Sequence, residues 1–154
     1  MILTVHAAKG TLLGILLPPG VAQIVGFFSH FFADAMPHWE LDRAIKNRRW
    51  LKIAAGVDLG AAFLAYAVIM SHLGLVVWSL HIFSTAAIAC LPDLIEFIKK
   101  AAQKPTRFTS SRPTRLVVYC HELAHSFWQK KKDEIQQIGF QWQAVVVFLV
   151  VFIL

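Results

Sequence analysis

Long apolar runs separated by short polar connections make up most of the chain. The runs predict helices at about residues 2–17, 21–35, 51–73 and 75–98, with Pro18, Pro19 and Gly20 turning the chain after the first. The third run is long enough to cross a hydrocarbon core of about 30 Å. Gly56 and Gly60 lie four residues apart in it, which predicts the close approach of another helix.

Polar residues interrupt the rest of the pattern. Pro92 interrupts the fourth helix, residues 104–115 form the most linker-like segment, and a fifth helix carries residues 121–126. An apolar terminal helix covers 139–154, after the charged break at 130–134. The sequence therefore predicts an all-α, multi-pass transmembrane bundle of about five to six helices, forming one integral membrane domain over residues 1–154.

Composition favours a lipid bilayer as the surroundings of this chain. Of 154 residues, 57% are hydrophobic and only 16% are charged. The fifteen Lys and Arg exceed the nine Asp and Glu, and the excess is concentrated in the connections at 43–52 and 99–115. The positive-inside rule places both connections and the N-terminus in the cytoplasm of a cell-membrane protein. It also predicts that the fifth helix lies at the cytoplasmic interface of the membrane. No nucleic-acid partner is expected.

Two pairs of possible metal ligands stand out against this apolar background. His30 and Asp34 are four residues apart, as are His121 and His125, so each pair shares one face of its helix. Two independent pairs are better explained by a metal site than by chance. His38 follows Pro37, which ends the helix, and its role is left unassigned. His81 is predicted to be a hydrogen-bonded packing residue.

The predicted topology gathers further polar residues at the same leaflet. His6 lies near the start of the first helix, Asp93 lies near the basic end of the fourth, and Asp58 lies slightly deeper in the third. Imidazoles and carboxylates without thiolates suit zinc, with iron or manganese as substitutes. Such an ion activates water for hydrolysis, and the basic connections would attract an anionic phosphate or lipid substrate.

Several of these motifs resemble those of a known family. The segment 29–34 (SHFFAD), Leu91-Pro92-Asp93, the HxxxHS of residues 121–126 and the N-terminal His6 resemble motifs of the membrane-bound metal-dependent hydrolases, inner-membrane proteins similar to zinc-dependent phospholipase C. In this chain SHxxAD precedes LPD, the reverse of the order expected there. The resemblance implies a helical metal site with these ligands: His6, His30, Asp34, Asp93, His121 and His125.

The sequence is also compatible with two other functions. His121-Glu122-xx-His125 matches HExxH, which predicts an intramembrane zinc metalloprotease with Glu122 as the general base. Glu122 is a candidate for proton transfer in either enzyme. Asp58 is a candidate catalytic residue or, equally, a structural partner of Lys9 or Lys52. The third hypothesis is a small non-enzymatic membrane protein, such as a metal carrier.

Overall fold

The computed structural model describes residues 3–36, 45, 47–75, 79–101, 107–126, 143 and 145. Over these residues the chain forms five α-helices and no β-strand, which confirms the all-α prediction. The helices are α1 (Leu3–Leu16), α2 (Val21–Asp34), α3 (Arg48–His72), α4 (Leu80–Ala101) and α5 (Arg112–Ser126). The predicted terminal helix at 139–154, the charged break at 130–134 and His38 lie outside the described residues.

Local sequence signals explain where several helices begin and end. The turn between α1 and α2 contains Gly20 at φ 83°, a left-handed conformation that glycine adopts without steric cost. Helix α3 begins three residues before the predicted position because Asn47 caps it. The Asn47 side chain accepts hydrogen bonds from the backbone N–H groups of Arg49 and Trp50 at 2.9 and 3.4 Å.

Helix α1 lies at the centre of the bundle and packs against α2, α3 and α4. Its contact with α4 is close because α1 carries two glycines one turn apart. A Cβ at Gly10 would lie 2.8 Å from the Ala86 Cα, and one at Gly14 would lie 2.9 Å from the Ile82 Cα. The close approach predicted at Gly56 and Gly60 is not seen among the described residues, since a Cβ there meets nothing within 4 Å.

The polar residue His81 holds the α1–α2 turn against α4, as predicted for a packing residue. Its Nε2–H donates to the Leu17 carbonyl at 3.2 Å, and its Nδ1 lies 3.4 Å from the Gln23 amide nitrogen. A carbonyl can only accept, so Nδ1 is the acceptor for the Gln23 amide. Both ring nitrogens are thereby paired within the protein.

Pro92 does not interrupt α4, in contrast to the prediction. The helix continues through it from Leu80 to Ala101. A proline removes one backbone donor and disturbs the preceding turn, which neighbouring helices can compensate. The carbonyl that loses its donor to Pro92 is that of Ile88, and the His30 imidazole of α2 donates to the next carbonyl, that of Ala89, at 2.7 Å.

Two helices, at Arg49–His72 and Leu80–Lys99, are long and apolar enough to cross a membrane by length and composition. Only 33% and 39% of their most apolar windows are buried by the described protein. Helices α1 and α2 have 14 residues each. At 1.5 Å per residue each is about 21 Å long, which is shorter than a hydrocarbon core.

Candidate metal centre

The six predicted ligands meet at one end of the bundle, although they come from four helices. His6 belongs to α1, the pair His30 and Asp34 to α2, Asp93 to α4, and the pair His121 and His125 to α5. The side chains of His6 and His30 are fully buried, and those of Asp34 and His121 nearly so. The cluster is thus a polar centre inside an apolar bundle.

The Asp34 carboxylate lies at the middle of the cluster. Its Oδ1 is 3.2 Å from His6 Nε2. Its Oδ2 is 2.9 Å from both His30 Nε2 and His121 Nε2, and 3.6 Å from His125 Nε2. Asp34 therefore lies within 4 Å of all four imidazoles, and the i, i+4 spacing of each pair directs its two side chains to the same place.

Asp93 of α4 is the second carboxylate of the cluster. Its Oδ1 lies 3.0 Å from His121 Nε2 and 3.7 Å from His30 Nε2, and its Oδ2 lies 3.6 Å from His6 Nε2. Among the described residues, Asp93 Oδ2 is buried and has no hydrogen-bond donor. A buried carboxylate oxygen without a donor is costly in a protein interior, and a bound cation would remove that cost.

The orientation of the His30 ring is fixed from the other side. Because Nδ1–H donates to the Ala89 carbonyl at 2.7 Å, the lone pair of the neutral ring is on Nε2, which faces the two carboxylates. In that tautomer neither His30 Nε2 nor the ionised Asp34 Oδ2 carries a proton, although the two atoms lie 2.9 Å apart. This arrangement suits two atoms that both point at a common ion.

Glu96 is a member of the site that the sequence interpretation missed. Its carboxylate contacts Nδ1 of His121, the ring nitrogen that faces away from Asp34 and Asp93. Metal-binding histidines commonly give their second nitrogen to such a carboxylate, which fixes the ring. The available signal was its position three residues after Asp93, on the same face of α4.

The carboxylates also set the charge of His121. Burial lowers the pKa of this imidazole, but hydrogen bonds to Asp34, Asp93 and Glu96 outweigh burial and raise the pKa to about 11. In the metal-free protein at neutral pH, His121 therefore carries a proton. A metal ligand must be neutral, so an ion entering this site replaces that proton.

The donor set fits a divalent metal ion. The nitrogen and oxygen donors of His6, His30, Asp34 and Asp93 all lie within 4.8 Å of one another, as do those of Asp34, His121 and His125. A buried cluster of His and Asp residues that could hold a metal ion is therefore present. Imidazole and carboxylate donors are compatible with zinc, iron and manganese, and the arrangement does not select one of them.

The two predicted catalytic residues lie outside this donor set. Asp58 accepts hydrogen bonds from the backbone of Leu3 and Thr4 at 2.7 and 3.2 Å and from the Thr4 hydroxyl at 2.6 Å. It thus holds the first turn of α1. The exposed Glu122 carboxylate lies 3.5 Å from the Lys99 ammonium group. Their catalytic roles stay predictions.

Lys9, one of the partners predicted for Asp58, instead contacts α2. Its Nζ donates to the Ser29 carbonyl at 2.8 Å and lies 3.5 Å from His6 Nδ1. The lysine thereby ties α1 to α2 one turn above His6. This contact helps to position His6 beside Asp34.

A scan against protein-family models found no match, and searches of curated proteins and of solved structures found none either.

Proposed function

We propose that this protein is a membrane-embedded, metal-dependent hydrolase that acts on a phosphate ester such as a lipid headgroup. The observation that carries the proposal is the buried convergence of four imidazoles and two carboxylates from four helices. Burying so many polar groups in an apolar bundle is costly unless they serve a function. The motif resemblance noted in the sequence adds support for this class of enzyme.

The surface of α3 and α4 supports a membrane location. Large apolar side chains on α3 are exposed, among them Val57, Phe63 and Leu64. A soluble protein rarely leaves such a continuous apolar surface in water, whereas lipid tails would cover it. The multi-pass arrangement and the cytoplasmic N-terminus belong to this proposal and rest on the distribution of basic residues.

The position of the cluster suggests how a substrate would reach it. His6 and His30 are closed off from solvent, whereas the Asp93, Glu96 and His125 side chains keep 16%, 17% and 12% of their exposure. Among the described residues the cluster is thus least buried on its α4 and α5 side, from which a substrate would enter in this proposal. The half-exposed Lys99 of α4 lies one turn beyond Glu96 and would favour an anionic substrate.

The residues of the cluster have separable tasks in this proposal. The carboxylates and imidazoles hold the ion, and Ala89 and Glu96 fix the rings of His30 and His121. When bound, a divalent ion supplies Lewis-acid activation of a phosphoryl oxygen and lowers the pKa of water. The apolar helices around the cluster keep bulk water away from all but its α4–α5 side.

The metalloprotease alternative receives less support. The HExxH mechanism needs Glu122 beside the ion, as the base that activates water. The Glu122 side chain is 61% exposed and pairs with Lys99. Among the described residues, the donors that converge with His121 and His125 come from Asp34 and not from Glu122, so a glutamate beside the proposed ion is not seen.

Metal analysis and hydrolysis assays on the detergent-purified protein test the proposal. We expect stoichiometric metal and hydrolysis of a chromogenic phosphodiester in the parent, and loss of both in His30→Ala and His121→Ala. His72→Ala is the matched control, because His72 is exposed on α3 and lies outside the cluster. It should retain metal and activity.

The other outcomes separate the alternatives. A parent protein without metal would contradict both enzyme hypotheses. Bound metal with peptide cleavage that is lost in Glu122→Gln would favour the protease. Bound metal without hydrolysis of phosphoesters, phospholipid vesicles or peptides would favour a metal-carrying, non-enzymatic protein.

A further inference from the structure

The donor atoms of the cluster fall into two groups that share one residue. The inner group is His6, His30, Asp34 and Asp93, and the outer group is Asp34, His121 and His125. The Asp34 carboxylate lies between the two groups. Its Oδ1 is 3.2 Å from His6 of the inner group, and its Oδ2 is 2.9 Å from His30 of the inner group and 2.9 and 3.6 Å from His121 and His125 of the outer group.

The inner group has the dimensions of a four-coordinate site. With metal–ligand bonds of about 2.0–2.1 Å, neighbouring donors of a tetrahedral ion lie about 3.3 Å apart. The distances from His6 Nε2 to Asp34 and Asp93 are 3.2 and 3.6 Å, and those from His30 Nε2 are 2.9 and 3.7 Å. All four donors of this group come from the protein, which leaves no open position.

The outer group offers only three protein donors. His125 Nε2 lies 3.1 Å from His121 Nε2, and both lie within 3.6 Å of Asp34 Oδ2, so the three donors again match the spacing around one tetrahedral ion. His125 is also the histidine of the cluster with the most exposed side chain. Sites with three protein ligands and a fourth, open position are typical of catalytic ions.

A single four-coordinate ion would leave some of the six side chains without a metal contact. A four-coordinate ion takes four donors, whereas six side chains converge here. The six side chains form two groups that share Asp34, each with its own pair of histidines.

We infer that the cluster binds two divalent ions bridged by the Asp34 carboxylate: an inner ion fully held by the protein, and an outer ion open towards the α4–α5 surface. This inference rests on the proposed function and specifies its site. A pair of ions about 3.5–4 Å apart suits phosphoryl transfer, because it contacts both the attacking and the leaving oxygen. The outer ion is the one that a phosphate oxygen can reach.

Metal stoichiometry tests this inference directly. The detergent-purified protein is saturated with Zn²⁺, freed of excess metal by gel filtration and analysed by mass spectrometry for zinc per chain. We expect two ions in the parent and in the control His72→Ala, one in His125→Ala, and at most one in Asp34→Asn. Circular dichroism checks that each variant keeps the helical content of the parent.

A spectroscopic measurement on the parent does not depend on the folding of any variant. Loaded with Mn²⁺, the parent should give the multiline electron paramagnetic resonance spectrum of an exchange-coupled pair. Saturation at one ion, or a spectrum of isolated Mn²⁺ only, would overturn the two-ion inference and leave a single-ion hydrolase intact. Two ions retained in His125→Ala would overturn the assigned outer site. Absence of any metal would contradict the proposed function itself.

Discussion

Asp93 and Asp58 are carboxylates on apolar helices near the same end of the bundle, but their surroundings differ in kind. Three backbone or hydroxyl donors of α1 bond to Asp58, and each of its two carboxylate oxygens accepts at least one of them. Asp93 faces the imidazoles of His6, His30 and His121, and its Oδ2 has no donor among the described residues. A carboxylate that accepts hydrogen bonds from the backbone, like Asp58, stabilises the fold. A carboxylate that faces several imidazole nitrogens, like Asp93, offers oxygen donors to a cation.

Of the substitutions that compare the two carboxylates and their surroundings, Asp93→Asn should have the largest effect. This change removes one carboxylate from the buried cluster, and we expect zinc affinity to fall by more than about 100-fold, because loss of outer partners alone costs 10–100-fold. Competition with a chelating dye measures the affinity. A zinc affinity within a few fold of that of the parent would show that Asp93 is not a ligand. Asp93 and Asp58 would then not differ in their role in metal binding.

The next effect concerns the residue that orients His121. Glu96→Gln keeps the size of the side chain but removes its charge, so we expect zinc affinity to fall about 10- to 100-fold with unchanged stoichiometry at saturation. Glu122→Gln on α5 is the matched control, because Glu122 is exposed and should leave zinc affinity unchanged. Equal losses in both variants would mean that general charge, and not contact with His121, is responsible.

The protonation of His121 predicts how metal binding depends on pH. Its pKa in the folded, metal-free protein is about 11, above the value of about 6.5 for an unfolded chain. Zinc must displace this proton, so the dissociation constant should fall about 10-fold per pH unit as pH rises from 7 to 8. Calorimetry in two buffers of different ionisation enthalpy should detect one released proton. No proton release would contradict a charged His121.

The raised pKa of His121 also predicts how the stability of the metal-free protein depends on pH. Because the folded form binds the proton more tightly than the unfolded form, this contribution is fully present below about pH 6.5. It is lost as pH rises towards the folded pKa of about 11. Thermal unfolding of the metal-free protein should therefore occur at lower temperature at pH 9 than at pH 6, and a reversed order would contradict the assignment.

The smallest effect on metal binding should come from Asp58→Asn. The amide keeps one acceptor oxygen but loses the other, so we expect a loss of about 1 kcal/mol in stability. Zinc affinity should stay within about 3-fold of the parent, since Asp58 bonds to the first turn of α1 and not to the cluster. Denaturant unfolding and dye competition measure the two quantities. A loss of zinc as large as that of Asp93→Asn would contradict the structural role.

The sequence determined which segments are helical and which residues are chemically unusual within them. Apolar runs and turn residues are local signals, so the five described helices lie close to their predicted positions. The pairs His30/Asp34 and His121/His125 could be recognised because helical periodicity alone puts residues four apart on one face. Pro92 does not interrupt α4 as predicted, because whether a helix tolerates proline depends on the packing around it.

The tertiary structure decided which faces meet. Gly10 and Gly14, and not Gly56 and Gly60, bring two helices into close contact, because the partner helix determines where small residues are needed. Likewise, the pairing of Glu96 with His121 and of Asp58 with the start of α1 depends on contacts between residues far apart in sequence. Spacing along one helix carries no information about such contacts. Helical spacing therefore identified the donor pairs of the candidate metal centre, and packing brought them together.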